Sequence, residues 1–281
     1  MTTTTAEPRH ATVTANGLRL HYCEWGDPAA PPILLLHGIT GHARTWDDLA
    51  AALVPRLRVI ALDQRGHGDS EDARDGDYSV GAMASDVAAA ASALGLSRFH
   101  LCGLSMGGRV SLAYAGDHAA HLDRLVIVDI GPEIAPAGMA RVRGSMADAP
   151  ERFATEDEAV AYVRAGNPLY TERLLRHRVA HGLRPLPDGG FTWKYSKGLR
   201  DMMRAGGRRD TVDLWASLPR ISCPTLLVRG SESDIFTPEI AKRMLAALPD
   251  GHYVEIPGSG HTVPGDQPEG FAQAVRTFLS V

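Results

Sequence analysis

A serine between two glycines is the residue of this chain best placed for nucleophilic chemistry. Residues 101–109 read Leu-Cys-Gly-Leu-Ser-Met-Gly-Gly-Arg, which puts Ser105 at the centre of a Gly-x-Ser-x-Gly pattern. An apolar run precedes the serine and a helix-forming run follows it, so the segment predicts a strand, a sharp turn and a helix. The glycines leave room at so tight a turn, and the serine hydroxyl is then presented as a nucleophile.

The partners that such a serine needs follow it along the chain. A serine hydroxyl requires a base that takes its proton, and the base requires a carboxylate that orients it. His261 lies in the loop Gly258-Ser259-Gly260-His261, directly after the last apolar run, and is the predicted base. Two carboxylates follow neighbouring apolar runs, where ligands bind in sheets of this kind. We favour Asp234 as the orienting acid and keep Asp129 as the alternative.

A developing oxyanion needs two hydrogen-bond donors aimed at it. The segment His37-Gly38-Ile39-Thr40 follows an apolar run, and Gly38 permits a tight turn close to a substrate. We expect the N–H groups of Ile39 and of Met106, the residue after the serine, to form the oxyanion hole.

Cationic and aromatic side chains in the segment 132–215 are candidates for substrate binding. Residues 172–209 include ten Lys or Arg and three Asp or Glu, whereas the whole chain has a net charge of −4. This balance either attracts an anionic substrate or belongs to a solvated helix face with its charges turned outward. The candidate anion ligands are Arg141, Arg143 and Arg164. Trp193, Trp215, Met202 and Met203 are candidates for the walls of an apolar pocket or for ordinary packing within this segment.

Short apolar runs separated by helical patterns supply the elements that would position these residues. The runs cover residues 33–36, 58–62, 99–102, 125–130, 225–228 and 253–256, and the helical patterns cover 45–53, 79–94, 106–116, 238–247 and 267–280. Continuous apolar runs are typical of strands buried on both faces, and their alternation with helices predicts a parallel sheet wound on both sides. Residues 11–25, with a turn at Asn16-Gly17, predict an antiparallel hairpin before that sheet.

The alternation of strands and helices stops between residues 132 and 215. Helical periodicities occur there without a strand pattern, and prolines stand near both ends. We therefore predict an α/β core built from residues 1–131 and 216–281, with residues 132–215 inserted as a helical cap.

The composition excludes several classes of protein. A hydrophobic content of 44% in 281 residues is typical of a globular chain, and the net charge of −4 offers no basic field for nucleic acid. The three cysteines are far apart in the chain, so neither a disulfide framework nor a metal site is expected. No signal peptide or membrane span is recognisable. These observations predict a cytoplasmic monomer or homodimer that uses no metal or other cofactor.

One further glycine-rich segment, residues 63–70, reads Asp-Gln-Arg-Gly-His-Gly-Asp-Ser. It lacks the spacing of a dinucleotide fingerprint and the lysine of a P-loop. We interpret it as a structural turn.

Together these motifs resemble the α/β-hydrolase superfamily, in the branch with a serine nucleophile. The matching pieces are the His37-Gly38 loop, the turn at residues 65–70, the Ser105 segment, the Asp234 loop and the His261 loop. The resemblance implies an eight-stranded, mostly parallel sheet with an inserted helical cap. The residues around Ser105 are similar to those of carboxylesterases and enol-lactonases, and Met106-Gly107-Gly108-Arg109 also resembles a lyase branch.

From the residues and the resemblance together, we predict a serine hydrolase that cleaves a small ester or lactone through an acyl-enzyme. An alternative is C–C or C–N bond hydrolysis, or elimination, on a carboxylated small molecule at the same site. A third hypothesis is a receptor that binds a ligand without turnover.

Overall fold

The computed structural model describes residues 7–205 and 212–281. The strands in this part are β1 Arg9–Ala15, β2 Leu18–Trp25, β3 Pro32–Leu36, β4 Arg58–Leu62, β5 Phe99–Leu104, β6 Leu122–Val128, β7 Leu183–Pro185, β8 Phe191–Trp193, β9 Thr225–Gly230 and β10 Gly251–Ile256. The helices are α1 Asp47–Leu53, α2 Val80–Ala93, α3 Met106–His118, α4 Pro136–Ala147, α5 Glu156–Gly166, α6 Glu172–Gly182, α7 Lys197–Arg204, α8 Leu214–Ser217, α9 Pro238–Ala247, α10 Val263–Asp266 and α11 Pro268–Leu279.

Eight strands form one sheet in the order β1-β2-β4-β3-β5-β6-β9-β10. The first two strands are an antiparallel hairpin, and β2 is antiparallel to β4. The remaining neighbours are parallel. The predicted eight-stranded, mostly parallel sheet is therefore confirmed, and the carboxyl ends of its parallel strands meet at one edge.

Strand β3 illustrates how the sheet separates two apolar layers. Its side chains alternate, because successive residues of a strand point to opposite faces. Leu34 and Leu36 pack with helices α2 and α3, whereas Ile33 and Leu35 pack with α1 and α11. All four side chains are fully buried. Helices cover both faces, so the central strands need apolar residues at every position.

Helices α4 to α8 lie between β6 and β9. We call the part from α4 to α7 the inserted segment. It contains a small apolar cluster of its own, to which Phe153, Val160, Leu175 and Val179 belong. The sequence analysis expected only helices here, but β7 and β8 pair as a short antiparallel ladder. With three residues in each strand, the ladder is too short to give a recognisable alternation. Two of the counted cations, Arg208 and Arg209, lie outside the described residues.

Across residues 7–205 and 212–281, no helix combines the length and the apolar character that crossing a membrane requires. The three cysteines are all buried and unpaired.

Candidate active site

The turn between β5 and α3 holds Ser105 in a backbone conformation that few residues adopt. Its φ is +53° and its ψ is −118°, a region that costs free energy and is maintained only by its surroundings. A Cβ on Gly107 would lie 2.2 Å from the carbonyl oxygen of Leu36, and one on Gly103 would lie 2.3 Å from that of Gly107. Both flanking glycines are therefore sterically required at this turn.

Ser105 and His261 are in direct contact. Nε2 of His261, on the loop between β10 and α10, lies 2.8 Å from Oγ of Ser105. Nδ1 of the same ring lies 2.8 Å from Oδ2 of Asp129. A carboxylate accepts the proton on Nδ1, which leaves Nε2 free to accept the hydroxyl proton of Ser105. The arrangement has the geometry of a nucleophile, a base and an orienting acid.

Asp129 is held in a buried polar pocket at the end of β6. The residue is completely buried and has a positive φ of 50°. Its Oδ1 accepts the N–H of Gly230 at 2.9 Å, and its Oδ2 also accepts the hydroxyl of Ser233. These donors stabilise the carboxylate and fix its orientation toward the histidine.

The preference for Asp234 as the partner of His261 was wrong. Asp234 lies beyond the end of β9 and forms a bidentate pair with Arg141 of α4, with N–O distances of 2.8 and 2.7 Å. These hydrogen bonds hold the pKa of Asp234 below its ordinary value. Asp129 ends the neighbouring strand and lies closer to the histidine, whereas the Asp234 loop continues outward to the inserted segment.

The expected oxyanion donors lie on either side of the serine. A Cβ on Gly38 would be 3.3 Å from the Cβ of Ser105, so the loop after β3 passes directly beside Ser105. Met106 begins helix α3, where the first N–H groups have no partner within the helix. None of the hydrogen bonds found in the described part of the chain uses the N–H of Ile39 or Met106.

Two buried histidines hold the loop after β3 in place. Nε2 of His37 accepts the N–H of Gln64 at 3.1 Å, and its Nδ1 donates to the carbonyl of Gly38 at 2.8 Å. Burial lowers the pKa of His37 to about 3, so the ring is neutral and can both donate and accept. His67 contacts the carbonyl of Ile39 through Nε2 at 2.6 Å. Both histidines thus have a positioning role.

A cavity of about 380 Å³ opens onto the serine and the histidine, and we call it the polar cavity because its wall includes the charged residues Arg141, Arg178, Asp234 and Asp266. Of the predicted residues, its wall includes Gly38, Ile39, Ser105, Arg141, Asp234 and His261. The wall also includes Arg178 of α6, which the sequence analysis counted among the cations without singling it out.

Arg178 is half-buried and has an unusual set of partners. Its Nη2 donates to the hydroxyl of Thr40 at 3.2 Å, and its guanidinium lies 5.5 Å from the ring centroid of Tyr170. Among the ion pairs of residues 7–205 and 212–281, none includes Arg178. The charge of Arg178 therefore faces the cavity without a carboxylate partner.

Asp266 is a second wall residue that the sequence analysis missed. Its Oδ2 accepts the N–H of Gly260 at 2.9 Å, next to His261, whereas its Oδ1 is buried without a partner in the described structure. Burial raises the pKa of Asp266 to about 6. The only sequence signal that could have placed Asp266 in this wall is its short distance from His261 along the chain.

A second cavity of about 250 Å³ also borders Ser105, but its wall does not include His261. Its wall is mainly apolar and includes Leu199, Met202 and Met203 of α7, two of which were predicted to line an apolar pocket. Arg109 and Arg143 also border this cavity. Arg109 donates to the carbonyls of Gly131 and Pro132, and Arg143 is exposed.

Two predicted substrate ligands lie elsewhere. Trp193 donates its indole N–H to the carbonyl of Pro150 and packs edge-on against Phe153 with ring centroids 5.0 Å apart. Arg164 is exposed and pairs with Glu172. Neither residue borders either cavity, so their positions do not support the predicted contact with substrate. Composition cannot reveal which way a helix or a short strand turns its side chains.

Comparisons with known proteins agree with this architecture. The family model described as alpha/beta hydrolase fold matches residues 31–268. The chain is 32% identical to the 3-hydroxybutyrate-oligomer hydrolase of Cupriavidus necator over 276 residues, which cover 92% of each chain. It is 30% identical to the N-formylmaleamate deformylase of Pseudomonas putida, with 95% of each chain covered. The crystal structure of E-2-(acetamidomethylene)succinate hydrolase is 26% identical with a TM-score of 0.89, covering 98% of this chain and 100% of that one.

Proposed function

Because this chain belongs to the α/β-hydrolase family, we propose that it is a cofactor-independent serine hydrolase acting on a small carboxylic ester or lactone. One observation carries the proposal. Contacts of 2.8 Å join Oγ of Ser105 to Nε2 of His261, and Nδ1 of His261 to Oδ2 of Asp129. A nucleophile, its base and an orienting acid require this order and these lengths.

In the proposed reaction Ser105 attacks the carbonyl carbon while His261 takes the hydroxyl proton. The resulting oxyanion accepts hydrogen bonds from the N–H groups of Ile39 and Met106 in this proposal. His261 then donates the proton to the leaving group, and an acyl-enzyme remains on Ser105. Water, deprotonated by His261, hydrolyses this ester. Asp129 stabilises the imidazolium throughout and keeps its own charge.

The walls of the two cavities support one direction for the substrate in this proposal. The group that receives a proton from His261 must lie on the side of the serine where His261 stands. That side is the polar cavity, so the leaving group occupies it. The acyl group then extends into the apolar cavity beside Met202 and Met203. The inserted segment supplies walls to both cavities and acts as a cap over the site.

A second candidate function is hydrolysis of an anionic substrate, including one with a scissile C–N bond. Arg178 supports it, because a half-buried guanidinium without a carboxylate partner is suited to a bidentate contact with a substrate carboxylate. Two of the similar proteins are named for a maleamate and a succinate substrate. In this candidate function the carboxylate belongs to the leaving group.

The first experiment compares hydrolysis of p-nitrophenyl butyrate by the wild type and by Ser105→Ala. We expect kcat to fall at least about 10⁴-fold in the variant. Ser92→Ala, which changes an exposed serine of α2, serves as the matched control and should hydrolyse the ester at the wild-type rate. Turnover that persists in folded Ser105→Ala would reject the proposal, and so would an inert wild type across a panel of small esters and lactones.

The second experiment tests the direction of the substrate with two isomeric half-esters. In 4-(butanoyloxy)butanoate the carboxylate belongs to the leaving group, whereas in monobutyl succinate it belongs to the acyl group. We expect kcat/KM to favour the first isomer at least about tenfold, a difference of about 1.4 kcal/mol. Equal values, with p-nitrophenyl butyrate still cleaved, would reject the anionic candidate and leave the esterase proposal intact.

A further inference from the structure

His10, His21 and Cys23 come together on one face of the β1–β2 hairpin. In the antiparallel register His10 stands directly opposite Cys23, and His21 lies two positions before Cys23 on the same strand. Residues two apart in a strand point to the same face, and directly opposite residues share that face. The hairpin therefore gathers two imidazoles and a thiol at one place.

The distances among these three side chains are those of a set of metal ligands. Nδ1 of His10 lies 3.0 Å from Nε2 of His21 and 3.6 Å from Sγ of Cys23. All three atoms lie within 4.8 Å of one another. Tetrahedral zinc, with bonds of about 2.0 Å to nitrogen and about 2.3 Å to sulfur, places its ligand atoms about 3.3–3.5 Å apart. An ion therefore fits between them after small adjustments.

A buried carboxylate orients one of the ligands. Nδ1 of His21 lies 2.7 Å from Oδ2 of Asp63, and both side chains are buried. Asp63 is itself fixed by the N–H groups of Ala43 and Asp69. Since Nδ1 of His21 donates to Asp63, Nε2 carries a lone pair directed at the other two ligands. Metal-binding histidines commonly have a carboxylate partner of this kind.

Access and local charge favour a cation at this place. His10 is exposed, so an ion can enter from solvent on its side. The carboxylates of Asp63 and Asp69 both lie within 4.8 Å of a ring nitrogen of His21. Asp69 is also paired with Lys194 at 2.9 Å, so the buried Asp63 is the main source of negative charge. The positive charge of Arg44 is also felt at His10 and opposes a cation there. This charge is offset by Asp47, because Nε of Arg44 donates to both carboxylate oxygens of Asp47.

We propose that His10, His21 and Cys23 form a binding site for a borderline transition-metal ion of the Zn²⁺ type, with water as the fourth ligand. Two imidazoles and one thiolate are ligands that zinc accepts. Cys23 binds as the thiolate, so its proton passes to solvent as the ion enters. A bound ion links β1 to β2 and stabilises the fold. It takes no part in catalysis, because β4 and β3 separate β2 from the strand that carries Ser105.

A second group of candidate ligands must be distinguished in any test. The ligand atoms of Asp47, His177 and His181 also lie within 4.8 Å of one another. Both oxygens of Asp47 are already engaged by Arg44, and this group has no thiol. A signal that arises only from a metal–thiolate bond therefore separates the two places.

The test is a titration of the EDTA-treated full-length protein with Co²⁺, followed by absorption spectroscopy. We expect a thiolate-to-cobalt charge-transfer band in the near ultraviolet that saturates at one equivalent and is displaced by Zn²⁺. Cys23→Ser should lose the band. Cys223→Ser is the matched control and should keep it, because five strands lie between β1 and β9, near whose start Cys223 stands.

A second variant keeps the test independent of the folding of Cys23→Ser. His10 is exposed, so His10→Ala is expected to fold normally, to weaken Co²⁺ binding at least about tenfold and to retain ester hydrolysis. Zn²⁺ should raise the Tm of the wild type and of Cys223→Ser, but not that of His10→Ala. A wild type without the charge-transfer band at saturating Co²⁺, or a band that persists in folded Cys23→Ser, would overturn the proposal.

Discussion

Oδ2 of Asp129 lies 2.8 Å from Nδ1 of His261, while Oδ1 of the same carboxylate accepts the N–H of Gly230. Both oxygens are thereby engaged at the buried end of β6. Asp234, in the loop after the next strand of the sheet, instead accepts hydrogen bonds from Arg141 with both oxygens, and its side chain is 41% exposed. The two carboxylates therefore have different partners. Asp129 orients His261, whereas Asp234 links the core to Arg141 of the inserted segment.

This difference predicts opposite outcomes for two matched substitutions. Asp129→Asn replaces the acceptor of the Nδ1 proton with an amide and favours the wrong tautomer of His261. We expect kcat for ester hydrolysis to fall about 10³- to 10⁴-fold. Asp234→Asn should change kcat less than about tenfold, because it alters only the partially exposed pair with Arg141. Steady-state kinetics of both variants, with circular dichroism to verify folding, measures the contrast, and a larger loss in Asp234→Asn would refute the assignment.

Arg178 is predicted to bind the substrate carboxylate. Arg178→Gln removes a charge-assisted contact worth about 1.5–3 kcal/mol, so KM for an anionic half-ester should rise about tenfold to a hundredfold, with KM for p-nitrophenyl butyrate nearly unchanged. The control is Arg173→Gln on the same helix, where the arginine pairs with Asp48 at 2.7 Å and does not border the polar cavity. An equal rise in KM for the neutral and the anionic ester would contradict a role in charge recognition.

Asp266 is predicted to make stability depend on pH. Its pKa in the folded protein, about 6, lies above the ordinary value of 3.8. The native state therefore binds the proton more tightly than the unfolded state, so stability falls as pH rises through this interval and the loss is complete above pH 6. Asp266→Asn carries no charge and removes this loss. Allowing for the partial exposure of the group, we expect the variant to be about 1–2 kcal/mol more stable than the wild type near neutral pH.

Urea unfolding of the wild type and Asp266→Asn, compared near neutral pH and near pH 4, measures this difference. Most of the variant's advantage should be lost at the lower pH, where the aspartate is protonated in the native state and partly protonated in the unfolded state. Asp148→Asn, a change at an exposed aspartate after α4, is the control and should show no pH-dependent difference. A constant difference at both pH values would show that Asp266 acts through packing instead of charge.

The turn that carries Ser105 is predicted to tolerate no side chain at Gly107. A Cβ added at Gly107 would lie 2.2 Å from the backbone oxygen of Leu36, which cannot move independently of β3. We expect Gly107→Ala to lower the free energy of unfolding by at least about 2 kcal/mol and to abolish turnover. Gly144→Ala, in α4 with no atom within 4 Å of the new Cβ, should instead raise stability by about 0.5–1 kcal/mol. Thermal unfolding distinguishes the two, and a stable, active Gly107→Ala would disprove the steric argument.

The fold and the sharp turn that carries Ser105 follow from local sequence patterns. Apolar runs between helical segments predicted the parallel sheet, because strands buried on both faces need apolar residues throughout. The glycines around Ser105 and the loop of His261 were recognisable because the chemistry of a sharp turn constrains residues that are adjacent in the chain. These patterns can be recognised without knowing which distant segments are in contact.

Tertiary structure decided the features that depend on distant segments. Asp129 and Asp234 both follow strands that end at one edge of the sheet, so only the course of each loop determines which carboxylate reaches His261. Arg178 lies on the face of α6 that borders the polar cavity, whereas the side chain of Trp193 borders neither cavity. The spacing of residues along the chain does not predict contacts between distant segments. Such contacts depend on distances of a few ångströms, which strand register and helix packing set together.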